Sequence, residues 1–123
     1  MFKSELPSVF YINSKKYSAS SELSYLLRNV VSHIRYEWDE LVFLCIGSDR
    51  ITGDSLGPLV GHLLSRHNWP HIHVYGTLKN PVHALNLEEI TRQIKARHPL
   101  ALIIAIDASL GSKKHIGFIT LGI

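Results

Sequence analysis

The sequence holds a single cysteine, Cys45, in 123 residues. No intrachain disulfide can form, and such cysteine usage fits a reducing cytoplasm. No apolar run approaches about 18 residues, so no transmembrane helix and no membrane partner are expected. Residues 1–17 carry charges where a secretory signal needs a continuous apolar stretch, so no signal is expected there either. Charge of one sign is also scarce: 13 Lys and Arg stand against 10 Asp and Glu, a net of +3. The basic residues are scattered, with no stripe and no interleaved aromatics, which argues against a nucleic-acid partner. No H-E-x-x-H, no Walker loop and no G-x-G-x-x-G fingerprint occurs.

What is present is the pattern of an α/β chain. Its length suits one domain over residues 1–123, and 46% of the residues are hydrophobic, enough for a real core. Val9 to Ile12 form a short apolar run, read as a loose strand or an arm. Ser20 or Ser21 can cap a helix carrying Leu23, Leu26, Leu27, Val30, Val31 and Ile34, ending near Tyr36. Residues 41–46 read as a buried strand. Leu56, Leu59, Val60, Leu63 and Leu64 recur at helical spacing, and Pro58 fits only in a first turn; this predicts a helix over 55–67 with its leucine face on a sheet. Residues 71–75 are a second strand. Asn86 caps a helix over 86–97, with Glu88 and Glu89 first and Lys95 and Arg97 last, as the helix dipole favours. Residues 100–106 are a third strand and 116–121 a fourth. Alternating strands and helices with near-continuous apolar strands predict a three-layer α/β sandwich around a mostly parallel sheet.

In such folds ligands bind beyond the carboxyl ends of the strands. Two acids fall there: Asp54 after the first core strand and Asp107 after the third. Two neighbouring carboxylates cannot both ionise easily, so one becomes an acid beside a base. That pairing suits activation of water against an amide, or binding of a metal. Taken singly, Asp54 also reads as a helix cap and Asp107 as an Asx-turn. The loop at 47–53 offers Gly47, Ser48, Asp49 and Gly53 to a substrate. Gly76, Thr77, His83 and Ser109 lie on the same rim.

Three blocks carry a more specific signal: C-I-G-S-D-R-I-T-G-D-S-L-G-P-L-V-G at 45–61, V-Y-G-T-L-K-N-P-V-H-A-L-N-L at 74–87, and L-I-I-A-I-D-A-S-L-G-S-K-K-H-I-G-F-I-T-L at 102–121. They closely resemble the YyaC-type sporulation protein family of spore-forming bacteria. That family is similar to the spore germination protease, whose T-P-D-A-L-G-P and V-D-A-L-A-S motifs match Thr52-Gly53-Asp54-Ser55-Leu56-Gly57-Pro58 and Ile106-Asp107-Ala108-Ser109-Leu110-Gly111-Ser112. Gly53 replaces a proline. The resemblance implies that Asp54 and Asp107 are catalytic aspartates of a peptidase acting on a spore or developmental protein in the cytoplasm of a sporulating cell or spore. It extends to hydrogenase-maturation proteases, whose nickel-reading acids also fall on Asp54 and Asp107 and whose histidine lies beyond Ile123.

The expectation is a sporulation-associated, aspartate-dependent peptidase without a resident metal or cofactor. The alternatives are a non-catalytic binding or regulatory protein that retains the fold, and a metal-dependent maturation-type protease. The resembled family usually continues past the position of Ile123 with more strands and helices; a domain without them would leave apolar surface uncovered, so a homo-oligomer is expected. His71 and His73 share one strand face but read as surface residues rather than metal ligands. Cys45 reads as packing, and Trp38 and Trp69 as core-edge residues.

Overall fold

The apolar run at 41–46 becomes the middle strand of a parallel sheet. The computed structural model describes residues 9–50, 53–109, 114 and 116–122. Thr52 of the first motif and Leu110, Gly111 and Ser112 of the second lie outside the described residues. In chain order the elements are β1 (Val9–Asn13), α1 (Ala19–Ser32), β2 (Glu40–Ile46), α2 (Leu56–Ser65), β3 (Ile72–Tyr75), α3 (Leu87–Arg97), β4 (Ala101–Asp107) and β5 (Phe118–Gly122). No helix among the described residues is long and apolar enough to cross a membrane.

The chain divides into two compact units. The larger, Glu37–Ser109, contains the sheet β3-β2-β4, parallel throughout. The chain leaves β2 for β3 on one side, then passes back to β4 on the other. Successive side chains of a strand face opposite ways, and β2 uses both faces. Val42 and Leu44 pack with Ile94 of α3 and with Val82. Cys45, on the other face, lies against Gly61 of α2. Both crossover helices therefore serve one sheet from opposite sides. The expected α/β class, with three parallel strands and two crossover helices, is present.

The face that α2 presents to the sheet differs from the one its periodicity predicts. Gly57, Pro58 and Gly61 are buried, whereas Leu56, Leu59 and Leu63 are 49%, 47% and 56% exposed. The reason is close approach. A β-carbon on Gly57 would overlap the carbonyl oxygen of Ile46, so the helix can sit against the β2 backbone only through its small residues. The bulky stripe is left outward. Pro58 occupies the first turn, as its missing N–H requires.

The smaller unit comprises Met1–Tyr36 and Leu110–Ile123. Its strands β1 and β5 pair antiparallel, Val9 opposite Gly122 and Asn13 opposite Phe118. The run near 116–121 thus starts at Phe118 and forms a separate two-stranded sheet with the N-terminal strand. Helix α1 begins at Ala19 after Ser18, whose hydroxyl donates to Glu22 at 2.5 Å, rather than after Ser20 or Ser21. It ends at Ser32, short of Tyr36, where the Ser32 hydroxyl and His33 Nδ1–H both donate to the Asn29 carbonyl, at 2.8 and 2.6 Å.

Candidate functional site

The carboxyl rim of the parallel sheet gathers the residues singled out by sequence. Asp107 is the last residue of β4 and pairs in register with Ile46, the last of β2. On its other side Ile46 forms a parallel bridge with Val82. Gly47 N–H donates to the Val82 carbonyl at 2.8 Å, and Ser48 N–H donates to the Asp54 carbonyl at 2.8 Å. Asp107 is thereby level with the end of β2, and Asp54 is tied through its backbone carbonyl to the loop just beyond that end. This end lies where the chain path reverses, going to β3 on one side and β4 on the other. Open α/β sheets form their binding crevice at such a switch point.

Asp54 is not used up as a helix cap. The residue capping α2 is Ser55, and no side-chain hydrogen bond caps that helix. Asp54 is half-buried and Asp107 exposed, so one carboxylate is partly sheltered and the other faces water. Glu88 and Glu89 do stand in the first turn of α3 behind Asn86. Asn86, however, turns its side chain away from the helix: Oδ1 accepts from His83 N–H at 2.8 Å, and Nδ2 donates to the Pro81 carbonyl at 3.0 Å.

The remaining rim residues play different parts. Ser48 accepts from Arg50 N–H at 3.2 Å, shaping the loop that carries exposed Asp49. Gly53 is exposed with open space around it. Gly47 and Gly76 are buried, and both have positive φ, 153° and 91°. A β-carbon on Gly47 would overlap the Asp54 carbonyl oxygen, and one on Gly76 the Cys45 carbonyl oxygen. These two glycines admit the protein's own backbone; Gly53 is the one open to a ligand. Thr77 closes a turn, its hydroxyl accepting from Asn80 N–H at 3.0 Å. His83, half-buried, accepts from Leu85 N–H through Nδ1 at 3.3 Å. Ser109 is exposed, two residues beyond Asp107.

Cys45 is fully buried, and burial pushes its thiol up to about 11, which suits packing and not nucleophilic attack. Trp69 is exposed and stacks on His67, with ring centroids 4.6 Å apart, instead of edging the core.

A second polar cluster lies at the opposite, amino end of the sheet. Glu40 opens β2, His73 is the second residue of β3, and His98 caps the end of α3, three residues before β4. His73 Nε2–H donates to Glu40 Oε2 at 2.6 Å, and His98 Nδ1–H to Glu40 Oε1 at 3.2 Å. The hydrogen bond from His73, then that from His98, holds the Glu40 carboxyl below its ordinary value. His98 Nε2 accepts from the Tyr75 hydroxyl at 2.9 Å. His73 is therefore no isolated surface residue. Glu40 and His98 carry no local spacing signal, because they stand 33 and 25 residues either side of His73 along the chain. What links them is the parallel register: each lies within three residues of the start of a neighbouring strand.

No solved structure matches the chain. A protein of Bacillus subtilis (strain 168), described as uncharacterized protein YyaC, is 48% identical over 82 residues, covering 67% of this chain and 40% of that protein. The chain thus spans less than half the length of this relative. A family model described as a protein of unknown function (DUF1256) matches residues 11–122, nearly the whole sequence with both acid-bearing blocks, and the chain belongs to that family.

Proposed function

We propose that this is a sporulation-associated, peptidase-like protein that hydrolyses peptide bonds of a spore or developmental protein through Asp54 and Asp107. The observation that carries the reading is the placement of both acids at one strand end, Asp107 opposite Ile46 and the Asp54 carbonyl on Ser48. In the proposed mechanism one carboxylate takes a proton from the attacking water. The other, protonated, donates a hydrogen bond to the scissile carbonyl and stabilises the oxyanion as it forms. The open space at Gly53 suits an extended substrate backbone. The similarity to the germination protease motifs supports the same pair, a related protein substrate and a cytoplasmic setting.

The test is cleavage of small acid-soluble spore proteins by the wild type and by Asp54→Asn and Asp107→Asn, with folding followed by circular dichroism. Cleavage by the wild type alone supports the pair. Equal cleavage by all three removes it.

A binding or regulatory protein that keeps this fold is the second reading. It is favoured by the outward stripe of Leu56, Leu59 and Leu63 on α2, an apolar surface of the kind that marks association. Under this reading the wild type cleaves nothing, and light scattering finds a mass above the 13.9 kDa of one chain.

A further inference from the structure

The cluster at the amino end of the sheet has the composition and spacing of a metal site. Two imidazoles and one carboxylate are the nitrogen and oxygen donors preferred by borderline divalent ions such as Zn(II). One ligand atom each from Glu40, His73 and His98 lies within 4.8 Å of the other two. A tetrahedral zinc with bonds of about 2.0 Å holds its donors about 3.3 Å apart. The present separations, 2.6 Å from His73 Nε2 to Glu40 Oε2 and 3.2 Å from His98 Nδ1 to Glu40 Oε1, both lie below that spacing, the second close to it. Small side-chain rotations would convert one arrangement into the other.

The supports of the site also fit. Metal-bound histidines use their second ring nitrogen for an outer hydrogen bond, which orients the ring. His98 has this partner in place: Nε2 meets the Tyr75 hydroxyl at 2.9 Å, leaving Nδ1 toward Glu40. The two imidazoles are stacked neighbours, with centroids 4.1 Å apart and planes inclined by 28°. The backbone beneath is held by the Leu41 N–H to His71 carbonyl bond at 2.9 Å and the Asp39 N–H to Leu100 carbonyl bond at 2.9 Å. Exposure is graded, 10% for the His98 side chain, 25% for Glu40 and 35% for His73, which gives a sheltered floor and a solvent side for entry.

We propose that Glu40, His73 and His98 bind one divalent transition-metal ion, Zn(II) foremost, with at least one coordination position open to water. On binding, His73 Nε2 and His98 Nδ1 become ligands. Each ring's proton moves to its other nitrogen, and His98 Nε2–H then donates to the Tyr75 oxygen. The ion ties β2, β3 and the α3–β4 junction together. This site lies at the end of the sheet opposite Asp54 and Asp107, so it neither requires nor supports the proposed peptidase chemistry.

The experiment is calorimetric titration of the chelator-treated full chain with zinc chloride, alongside thermal unfolding with and without the ion. The expected result is one equivalent bound with micromolar or tighter affinity and a raised unfolding temperature. His73→Ala, at the more exposed position, abolishes binding while the circular dichroism spectrum stays native. Glu40→Gln does the same without changing shape. Tyr75→Phe weakens binding by about tenfold, as loss of an outer partner does. His62→Ala and His67→Ala, outside the cluster, leave it unchanged. Absence of zinc binding by the wild type at millimolar zinc overturns the proposal and leaves a plain hydrogen-bonded cluster. Binding that survives both Glu40→Gln and His73→Ala overturns it equally.

Discussion

Asp107 stands directly opposite Ile46 in the parallel ladder, so the acid that ends β4 is level with the residue before Gly47. The β2–α2 loop starts at that point, and its far end returns Asp54 to bond Ser48 through its carbonyl.

Asp107→Asn keeps the shape of an exposed side chain, so it should change stability by no more than about 0.5 kcal/mol. Cleavage of the spore-protein substrate should fall at least about 100-fold, because an amide neither accepts nor shares the proton. Urea unfolding and a gel-based cleavage assay on one preparation measure both. Asp54→Asn should behave alike; a variant of either acid with wild-type cleavage would count against the pair.

Gly47→Ala should act on both stability and the rim. Its φ of 153° and the crowding by the Asp54 carbonyl and Pro58 Cδ leave no room for a methyl group. The expected cost is about 1–3 kcal/mol in urea unfolding. A destabilisation much smaller than this would mean that the loop relaxes freely and that Asp54 is not held where it now stands.

Cys45 should resist Ellman's reagent in the native protein at neutral pH and react fully once the chain is unfolded. Burial raises its thiol from 9.0 to about 11. Well below pH 9.0 the thiol is neutral in both states and adds no pH dependence. Between 9.0 and about 11 the unfolded chain loses the proton first, so stability falls as pH rises through that window. Cys45→Ala should flatten this contribution to the alkaline limb of a stability–pH profile.

Ile94→Ala and Leu59→Ala test which helix face is core. Ile94 is fully buried with Val42, Leu44 and Val82, so its truncation should cost about 2–5 kcal/mol. Leu59 is 47% exposed, and its truncation should stay within about 0.5 kcal/mol. Comparable losses at the two positions would contradict the packing of α2 through its glycines.

Local pattern in the sequence determined the α/β class, the parallel pairing of the three apolar runs in one sheet, and the carboxyl-end placement of Asp54 and Asp107. These follow from apolar runs broken by glycine, from 3.6-residue spacing and from dipole-matched charges, all of which act within a few residues. Tertiary structure decided the rest. Periodicity aimed Leu56, Leu59 and Leu63 at the sheet, yet backbone contact at Gly57 and Gly61 turned them outward, and no count of leucines records how near two backbones can come. The last strand found its partner in Val9–Asn13, more than a hundred residues earlier, because edge hydrogen bonds are satisfied by whichever strand the fold brings alongside. Glu40, His73 and His98 met only through the register of β2, β3 and β4. Each is an ordinary polar residue in its own stretch of chain, and only the parallel sheet sets their side chains at the same end.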